Sequence, residues 1–318
     1  MLTTTPTADL HAASSHESLS VSDLFRRPIL AASDGTDAAL AALRISACLA
    51  RRYESRVRVV TVLDPLLFTA TSHGADLGGA VGGADLLRSA TTQRRADVFG
   101  QIRDVAGGEE WPLEVGVGAP ASFVTLAAQD HDANMVILGL RHHSVLDRVF
   151  GAETALRIMR RSRVPVLAVV PSLVELPERV VAAVDFSRSS LRAAHAAASL
   201  VADGGTLFLT YVRPPVNVVT EDTEGLGVIY SQGVAGAFGR MTAEMWLPPR
   251  VRVQTVFLEG PPAEALMRFA ELSRADLIAV GSHRHSVVDR LRLGSVTNDL
   301  VRNAERSLLV CPPAGKSS

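Results

Sequence analysis

One loop sequence occurs twice in this chain, and the repetition limits the possible folds more than any other feature. The segment "GLRHHSVLDRVFGA" (139–152) has a near-copy in "GSHRHSVVDRLRLGS" (281–295), and both contain HSV and DR between glycines. Apolar runs flank both copies, NMVILG and RVPVLAVVP around the first, ADLIAVG and ERSLLVCPP around the second. Such self-similarity indicates a duplicated folding unit. The length of 318 residues also fits two domains of about 150 residues each.

Each repeat begins with the pattern of a strand, a short loop and a helix. Residues 27–52 and 179–205 both contain an apolar run, an Asp, a small turn and Ala-rich helical spacing. A β-branched run closed by Pro follows each helix, and this order favours a right-handed parallel crossover. Third strands precede Pro-led helices, and near-continuous apolar strands such as MVILG and LIAVG indicate a sheet covered on both faces. The sequence therefore predicts an α/β fold of two tandem, doubly wound, five-stranded parallel-sheet domains of the Rossmann-like type.

The chain divides at Pro-punctuated and low-hydrophobicity segments. We expect a disordered N-terminal arm at 1–26, a first domain at 27–172, a linker at 173–177, a second domain at 178–313 and a tail at 314–318. The arm lacks the basic head and apolar core of a secretory signal, and the chain has no apolar run of roughly 18 residues, so the expected compartment is the cytoplasm. A net charge of -1 gives no field that would attract nucleic acid or an acidic membrane.

Cysteine usage, glycine runs and tryptophans indicate structural roles. Cys48 and Cys311 lie in apolar patterns, so we expect two buried, reduced thiols and no disulfide, and no metal-ligand spacing is present. The GGAVGG run at 78–83 lacks the Gly-Lys-Ser/Thr ending of a phosphate loop and is typical of a flexible lid or linker. Trp111 and Trp246 precede the third strands, where packing or interface roles are favoured over ligand stacking.

The repeated loops point to a ligand site at the carboxyl ends of the strands. In a doubly wound sheet, ligands bind where the strand order reverses, and each repeated loop leaves a fourth strand at that end. A helix amino end attracts phosphate, and glycines there allow the backbone to approach an anion. Asp34 and Asp185 leave the first strands at the same end. Each Asp can bond to a ribose or base, cap the following helix, or do both.

These motifs, taken in order and twice, resemble tandem domains of the universal stress protein (UspA-like) family. The resemblance rests on the VD-x-S-type turn after the first strand, the G-x-P before the penultimate helix and the glycine-bounded loop after the fourth strand. It covers roughly residues 27–172 and 178–313. It implies a Rossmann-like fold of the adenine nucleotide alpha hydrolase-like (HUP) type and a role in the stress response.

The resemblance also implies a binding site for ATP or a related adenine nucleotide, with or without Mg²⁺. In the second domain, Asp185 would meet the adenosine portion, and Tyr211 and Val212 would line the base. Gly281 would open the phosphate loop, and Gly294 with Ser295 would hold phosphate. Phosphate could also attract cations of the loop, namely Arg284, His285, Arg290 and Arg292. The less favoured site in the first domain would use Asp34, Gly139 and Gly151.

Three departures from the family pattern weaken that implication, more so in the first domain. Arg284 and His142 stand where the ATP-binding pattern has its second glycine. Arg284 either replaces backbone donors with a guanidinium or fills the site. From glycine to glycine the first loop is one residue shorter, and Ala152 follows Gly151 where a hydroxyl would contact phosphate. The alternative reading of the cationic loop is a solvated surface with a local pair between Asp289 and a neighbouring Arg.

Three classes of function remain open from the sequence. The first is a nucleotide-binding stress-response module that acts through conformation or partner choice. The second is an interaction protein without nucleotide, in which the two domains form an internal pseudo-dimer through their fifth strands, alone or as part of a homodimer with unknown protein partners. An ATP-hydrolysing or phosphate-transferring enzyme is least favoured, because no magnesium-binding carboxylate pair is visible. The adjacent His and Ser of each loop give no evidence of hydrolase chemistry without a third orienting group.

Overall fold

The computed structural model describes residues 4–5, 25–65, 80–140, 151–213, 223–245, 247–282, 294–303 and 305–313. One pattern of five strands and four helices occurs twice, after a two-residue strand β1 (Thr4–Thr5). The first unit contains β2 (Ile29–Ala32), α1 (Asp37–Tyr53), β3 (Val57–Leu63), α2 (Ala80–Val105), β4 (Leu113–Val117), α3 (Pro120–Asp130), β5 (Met135–Gly139), α4 (Ala152–Arg161) and β6 (Val166–Val169). The second unit contains β7 (Arg179–Ala183), α5 (Arg188–Leu200), β8 (Thr206–Arg213), α6 (Thr223–Glu244), β9 (Arg252–Glu259), α7 (Pro262–Leu272), β10 (Leu277–Gly281), α8 (Ser295–Asn303) and β11 (Ser307–Cys311).

Both units have the same doubly wound sheet. The strand order is β4-β3-β2-β5-β6 in the first unit and β9-β8-β7-β10-β11 in the second, and every neighbouring pair within a unit is parallel. The predicted α/β class with two tandem parallel sheets is therefore confirmed. The strand order reverses between β2 and β5 and between β7 and β10, which are the places where a ligand cleft is expected.

The two sheets are continuous with each other. Strands β6 and β11 pair antiparallel, with Leu309 opposite Leu167, so that all strands form one eleven-stranded sheet. The backbone N–H of Val170 donates to the hydroxyl of Ser307 over 3.2 Å beside this junction. Helices also cross it, because Arg160 of α4 donates to Asn298 of α8 over 2.8 Å. The two units are thus held together by strand pairing as well as by side chains.

Burial explains why these segments form strands and helices. All residues of β5 and β11 are buried, as expected for strands with helices on both faces. The third-strand turns use glycines with positive φ, 140° at Gly118 and 118° at Gly260. Pro120 and Pro262 then occupy the first turn of α3 and α7. The G-x-P pattern therefore encodes a left-handed turn followed by a helix start that needs no amide hydrogen.

Several segments differ from what the sequence predicts. Part of the glycine run is helical, since α2 begins at Ala80, so the prediction of a flexible lid is wrong for residues 80–83. The arm contributes Thr4–Thr5, which pair with β9, and Phe25, which is buried and stacks on Tyr53 with ring centroids 4.2 Å apart. These arm residues take part in the fold, and the domain boundaries themselves remain a prediction. Within the described ranges, no helix combines the length with the hydrophobicity that a membrane span requires.

The cysteines and tryptophans only partly match expectation. Both cysteines are free thiols, as predicted, but only Cys311 is buried, whereas Cys48 is half-buried. Cys48 lies within reach of a guanidinium nitrogen of Arg51, 3.6 Å from its sulfur. Trp111 is buried and its ring nitrogen donates to Glu109, which agrees with a packing role. Trp246 lies outside the described residues.

Candidate functional site

The predicted site residues of the second unit lie at the carboxyl ends of three neighbouring strands. Asp185 follows β7, Tyr211 and Val212 lie near the end of β8, and Gly281 ends β10. The order β8-β7-β10 makes β7 central, so the loop that contains Asp185 borders the point of strand reversal. The first unit repeats this arrangement with Asp34 after β2 and Gly139 at the end of β5.

In the first unit, Asp34 organises the loop that starts α1, but it is not the helix cap. The cap is Thr36, whose hydroxyl oxygen accepts from the backbone N–H of Ala39 over 3.4 Å. The Asp34 carboxylate accepts from the backbone N–H and the hydroxyl of Thr36, over 3.1 and 2.6 Å. Asp34 is 8% exposed. The capping role considered for the Asp therefore belongs to the residue two positions later.

The second unit uses the same design with a cluster of serines. Ser187 caps α5 by accepting from the backbone N–H of Ser190 over 3.2 Å, and Asp185 accepts from the backbone N–H of Ser187 over 3.1 Å. The hydroxyls of Ser187 and Ser189 lie 3.0 Å apart. The exposed Asp185 side chain contrasts with the buried Asp34. These serines were not identified from the sequence as neighbours of Asp185, although a hydroxyl residue before an Ala-rich helix is a standard cap signal.

The glycines that end the fourth strands serve packing of the first helices. A Cβ on Gly281 would lie 2.7 Å from the carbonyl carbon and oxygen of Ser189, and one on Gly139 would lie 2.4 Å from the carbonyl carbon of Ala38. Such distances are sterically forbidden, so α5 and α1 approach β10 and β5 only because the side chains are absent. The helix backbone therefore fills the space where a side chain would stand at these two positions, and the role of Gly281 in a phosphate loop stays a prediction.

The spans from the fourth to the fifth strand are equal in the two units. Gly139 pairs with Val169 and Gly281 pairs with Cys311, and the same number of residues separates the partners in each pair. Helix α4 begins one residue earlier in its unit than α8 does, so the loop before the helix is one residue shorter in the first unit, as the sequence predicts. Gly151 and Gly294 each directly precede their helix.

The start of α8 is open around Gly294 and Ser295. Among the residues that the structure describes, no atom beyond the chain neighbours lies within 4 Å of a Cβ built on Gly294, and Ser295 is exposed as the first residue of the helix. Asn298 bonds back across the first turn to the carbonyl of Gly294. Its backbone N–H donates over 3.0 Å and its side-chain N–H donates over 3.2 Å. The first turn of α8 contains no acidic residue, whereas α4 has Glu153 in its first turn. The amino end of α8 therefore favours an anion more than that of α4.

An aromatic cluster lies beside the loop of Asp185. Tyr211 stacks on Phe186 with centroids 5.2 Å apart, and Phe238 of α6 meets Phe186 edge-on at 5.2 Å. Phe257 of β9 lies 5.8 Å from Tyr211. Val212 is half-buried and pairs with Leu258. Phe186 has a left-handed backbone conformation, with φ of 62°. Because the Tyr211 ring stacks on Phe186, it packs against one side of the loop that contains Asp185.

The corresponding place in the first unit is polar. The Gln101 side chain on α2 donates to the carbonyls of Gly35 and Thr36, over 3.0 and 3.1 Å, and accepts from the hydroxyl of Ser33. This amide ties α2 to the loop that contains Asp34. No local sequence signal identifies Gln101, because it lies more than sixty residues from its partners.

Part of the predicted site cannot be placed. Arg284 and the other loop cations His142, His285, Arg290 and Arg292 lie outside the described residues. Within the ranges that are described, no cluster of three or more metal-ligating side chains occurs. A groove of about 980 Å³ opens at the opposite end of the first unit, against the amino ends of β2 and β3, and none of the predicted site residues lines it. We therefore assign the candidate site by topology and not by cavity size.

The fold defines a tandem pair of Rossmann-like domains, each with one strand reversal. The family model described as "Universal stress protein family" matches residues 26–170 and 177–312. The chain therefore belongs to the universal stress protein family, and the resemblance found in the sequence is confirmed.

Individual relatives agree with this assignment. Universal stress protein MJ0531 of Methanocaldococcus jannaschii is 40% identical over 68 residues, which cover 21% of this chain and 38% of that protein. A universal stress protein structure from Archaeoglobus fulgidus aligns with 20% identity and a TM-score of 0.57, over 91% of this chain and 98% of that chain. A structure described as a putative universal stress protein from Pseudomonas aeruginosa gives 14% identity and the same TM-score, over 92% and 95% of the two chains. At these identities the two structures support the fold alone.

Proposed function

We propose that this protein is a stress-response module that binds an adenine nucleotide, ATP or a close relative, in its second unit. Binding regulates the conformation of the protein or its choice of partner, and no catalytic step is required. The observation that carries the proposal is the start of α8, where no described atom lies within 4 Å of a Cβ on Gly294 and Ser295 is exposed. Helix α8 follows β10, the strand that neighbours β7 at the strand reversal. Three backbone N–H groups of the first turn and the helix dipole suit a phosphate there.

The second unit is preferred over the first on charge and on exposure. Ser295 adds a hydroxyl donor to the helix start, whereas Glu153 places a carboxylate in the first turn of α4. A carboxylate at that position repels the phosphate that the helix dipole would attract. Asp185 is exposed and accepts from the backbone N–H of Ser187, whereas Asp34 is buried and accepts two bonds from Thr36. An acceptor that is open to solvent is better suited to a ribose hydroxyl.

Released nucleotide and calorimetry test the proposal. Denaturing the purified protein and analysing the supernatant should release ATP, ADP or AMP, and titration of the emptied protein with ATP should give a binding heat. The double variant Gly294→Ala/Ser295→Ala should weaken binding about tenfold, since it removes a hydroxyl bond to a charged group and adds a Cβ at the phosphate position. The matched control Gly151→Ala in the first unit should bind as the parent does.

These variants separate function from folding, because a Cβ at either Gly294 or Gly151 meets no atom within 4 Å in the described part of the chain. Absence of released nucleotide together with absence of heat at millimolar ATP would refute the proposal. An unchanged affinity in the double variant would move the site away from α8.

A second function is favoured by the self-complementary junction between β6 and β11. Equivalent strands of the two units pair about Leu167 and Leu309, which is the arrangement of a dimer built into one chain. An interaction scaffold needs this geometry and no nucleotide. Arg284→Gly discriminates between the two functions: a gain of ATP binding in this variant, with none in the parent, would favour the scaffold.

A further inference from the structure

Two arginines at equivalent positions of the two units reach across the junction between them. Arg160 lies in the last turn of α4, and Arg302 lies in the last turn of α8. They are equivalent because each precedes, by the same number of residues, the partner of its fourth-strand glycine, Val169 or Cys311. Each side chain contacts the helix of the other unit. Such reciprocal contacts are expected where two copies of one unit meet about a twofold axis.

The partners of the two arginines differ in charge. Arg302 donates to the carboxylate of Glu153 over 2.8 Å, an ion pair in the first turn of α4. Arg160 donates to the side-chain oxygen of Asn298 over 2.8 Å, one turn into α8. Both contacts therefore join the end of one helix to the beginning of the other, one through a carboxylate and one through a neutral amide.

Glu153 occupies the position in the first unit that Ser295 occupies in the second. The same strand register makes these two residues equivalent. The pair of Glu153 with Arg302 shows that an arginine at this position reaches an anion at the helix start of the other unit. Ser295 is exposed and uncharged, and the first turn of α8 contains no acidic residue. An anion at Ser295 would thus lie within reach of Arg160, as the carboxylate of Glu153 lies within reach of Arg302.

We propose that Arg160, a residue of the first unit, binds the nucleotide phosphate at the start of α8 in the second unit. This inference rests on the proposed function and adds to its site a residue from the other unit. The guanidinium exchanges the amide oxygen of Asn298 for phosphate oxygens, because charge-assisted bonds to an anion are stronger than a bond to a neutral group. Arg160 is half-buried, so water and salt screen this interaction less than they would at an exposed side chain.

The same contact explains why the two helix starts differ. In the first unit, the carboxylate of Glu153 already engages Arg302, so the protein itself supplies the anion. In the second unit, a ligand supplies it. Each unit thus contributes an arginine to the other, and only the arginine of the first unit is used for binding nucleotide.

Calorimetric titration of the full chain with ATP tests the assignment. Arg160→Met should weaken ATP binding about tenfold, because a charge-assisted bond to phosphate is lost. Arg160→Lys should recover part of that loss, since it keeps the charge but not the planar fork of donors. Arg161→Met is the matched control and should bind ATP within about twofold of the parent. Arg161 is the next residue of the same helix, but it donates to Ser122 of α3.

Asn298→Leu separates direct binding from support of the helix start. If Arg160 acted only by holding Asn298, this variant would lose as much affinity for ATP as Arg160→Met does. Direct binding predicts an affinity within about twofold of the parent, or a higher one, because the side chain that competes for the guanidinium is gone. The first unit has a buried leucine, Leu156, at the equivalent position, so a leucine suits this place in the fold.

Ser295→Glu tests the reach of Arg160 without nucleotide. It introduces the carboxylate that Glu153 provides in the first unit, so it should pair with Arg160 and block ATP binding. In this background, Arg160→Met should lower the melting temperature by about 1–2 °C more than it does in the parent, because an ion pair is lost as well.

The outcomes separate this inference from the proposed function. Unchanged ATP affinity in Arg160→Met, an equal loss in Asn298→Leu, or equal shifts of melting temperature in the two backgrounds would overturn the role of Arg160. Each of these results leaves ATP binding at α8 intact. Absence of ATP binding by the parent would overturn the proposed function and this inference with it.

Discussion

Leu167 and Leu309 occupy equivalent positions in the two units and lie directly opposite each other where β6 pairs with β11. Their neighbours obey the same rule, since Val166 pairs with Val310 and Ala168 pairs with Leu308. The junction is therefore self-complementary about this leucine pair. Both leucines are buried, with 1% and 0% of their surfaces exposed. Duplication of the unit thus placed two equivalent edge strands against each other. Their pairing satisfies the backbone hydrogen-bonding groups that each edge would otherwise expose.

We expect Leu167→Ala and Leu309→Ala each to lower the free energy of unfolding by about 2–5 kcal/mol, because each leaves a cavity in a buried junction. Leu126→Ala is the control, since Leu126 is 57% exposed and its loss should change little. The double variant tests the pairing itself. Cross-strand partners should show a coupling of about 0.2–1 kcal/mol in urea unfolding. Strict additivity would mean that the two leucines do not face each other.

Substituting the glycines that end the fourth strands tests whether these positions serve helix packing. Gly281→Ala should destabilise the protein by about 1–3 kcal/mol, because the new Cβ would lie 2.7–2.8 Å from the backbone of Ser189 and Ser190. Gly139→Ala should behave alike against α1. Gly294→Ala should cost less than about 1 kcal/mol, since it meets open space and changes only the residue before a helix. Thermal unfolding measures all three, and equal losses would contradict the packing role.

The fold could be predicted from the sequence because the patterns that determine its helices and strands are local. Apolar runs such as MVILG, the Ala-rich helices and the G-x-P turns each specify an element within about ten residues, and duplication shows the pattern twice. The ends of the strands could be placed for the same reason. Asp185 and Gly281 were therefore expected at one end of the sheet, where they lie.

The surroundings of the candidate site could not be predicted from the sequence, because they depend on contacts between residues that are distant in sequence. Gln101 and Arg94 reach Gly35 from α2 only after the chain has folded. The role of Gly281 also depends on α5, whose closeness to β10 no local pattern reports. The cap of α5 does have a local sequence signal at Ser187. Asp185, two residues earlier, has the same signal, since both residue types suit a cap position, so the sequence alone does not decide between them.

The two cysteines should differ sharply in reactivity. Burial raises the pKa of the Cys311 thiol to about 12, against a weaker lowering effect of Arg192, so almost no thiolate exists near neutral pH. Cys48 is half-buried and open to reagent. A thiol-specific reagent at about pH 8 should therefore label one cysteine in the native protein and two after denaturation, with Cys48→Ser abolishing the native reaction. Rapid native labelling of Cys311 would show that β11 opens readily.

The helix α5, which starts at the loop of Asp185, should be sensitive to acid. His195 lies on α5, and its Nε2 atom is buried without a hydrogen-bond partner among the described residues. Burial lowers the pKa of His195 below its ordinary value of 6.5, and the backbone carbonyl and carboxylate of Glu244 oppose this only in part. The native state therefore holds the neutral ring at a pH where the unfolded chain has already taken up a proton.

The sign of the effect follows from that difference in proton binding. Because the folded pKa is depressed, the stability contributed by neutral His195 is complete above about pH 6.5 and declines as the pH falls toward the folded value. His195→Gln removes the titration, so the free energy of unfolding should fall less between about pH 7.5 and pH 5 than in the parent. Urea unfolding at a series of pH values measures how the free energy of unfolding changes with pH in the parent and in the variant. The difference between the two slopes isolates the contribution of His195, because the other titrating groups are common to both proteins. Parallel slopes would place the ring in solvent and contradict its burial between α5 and the end of α6.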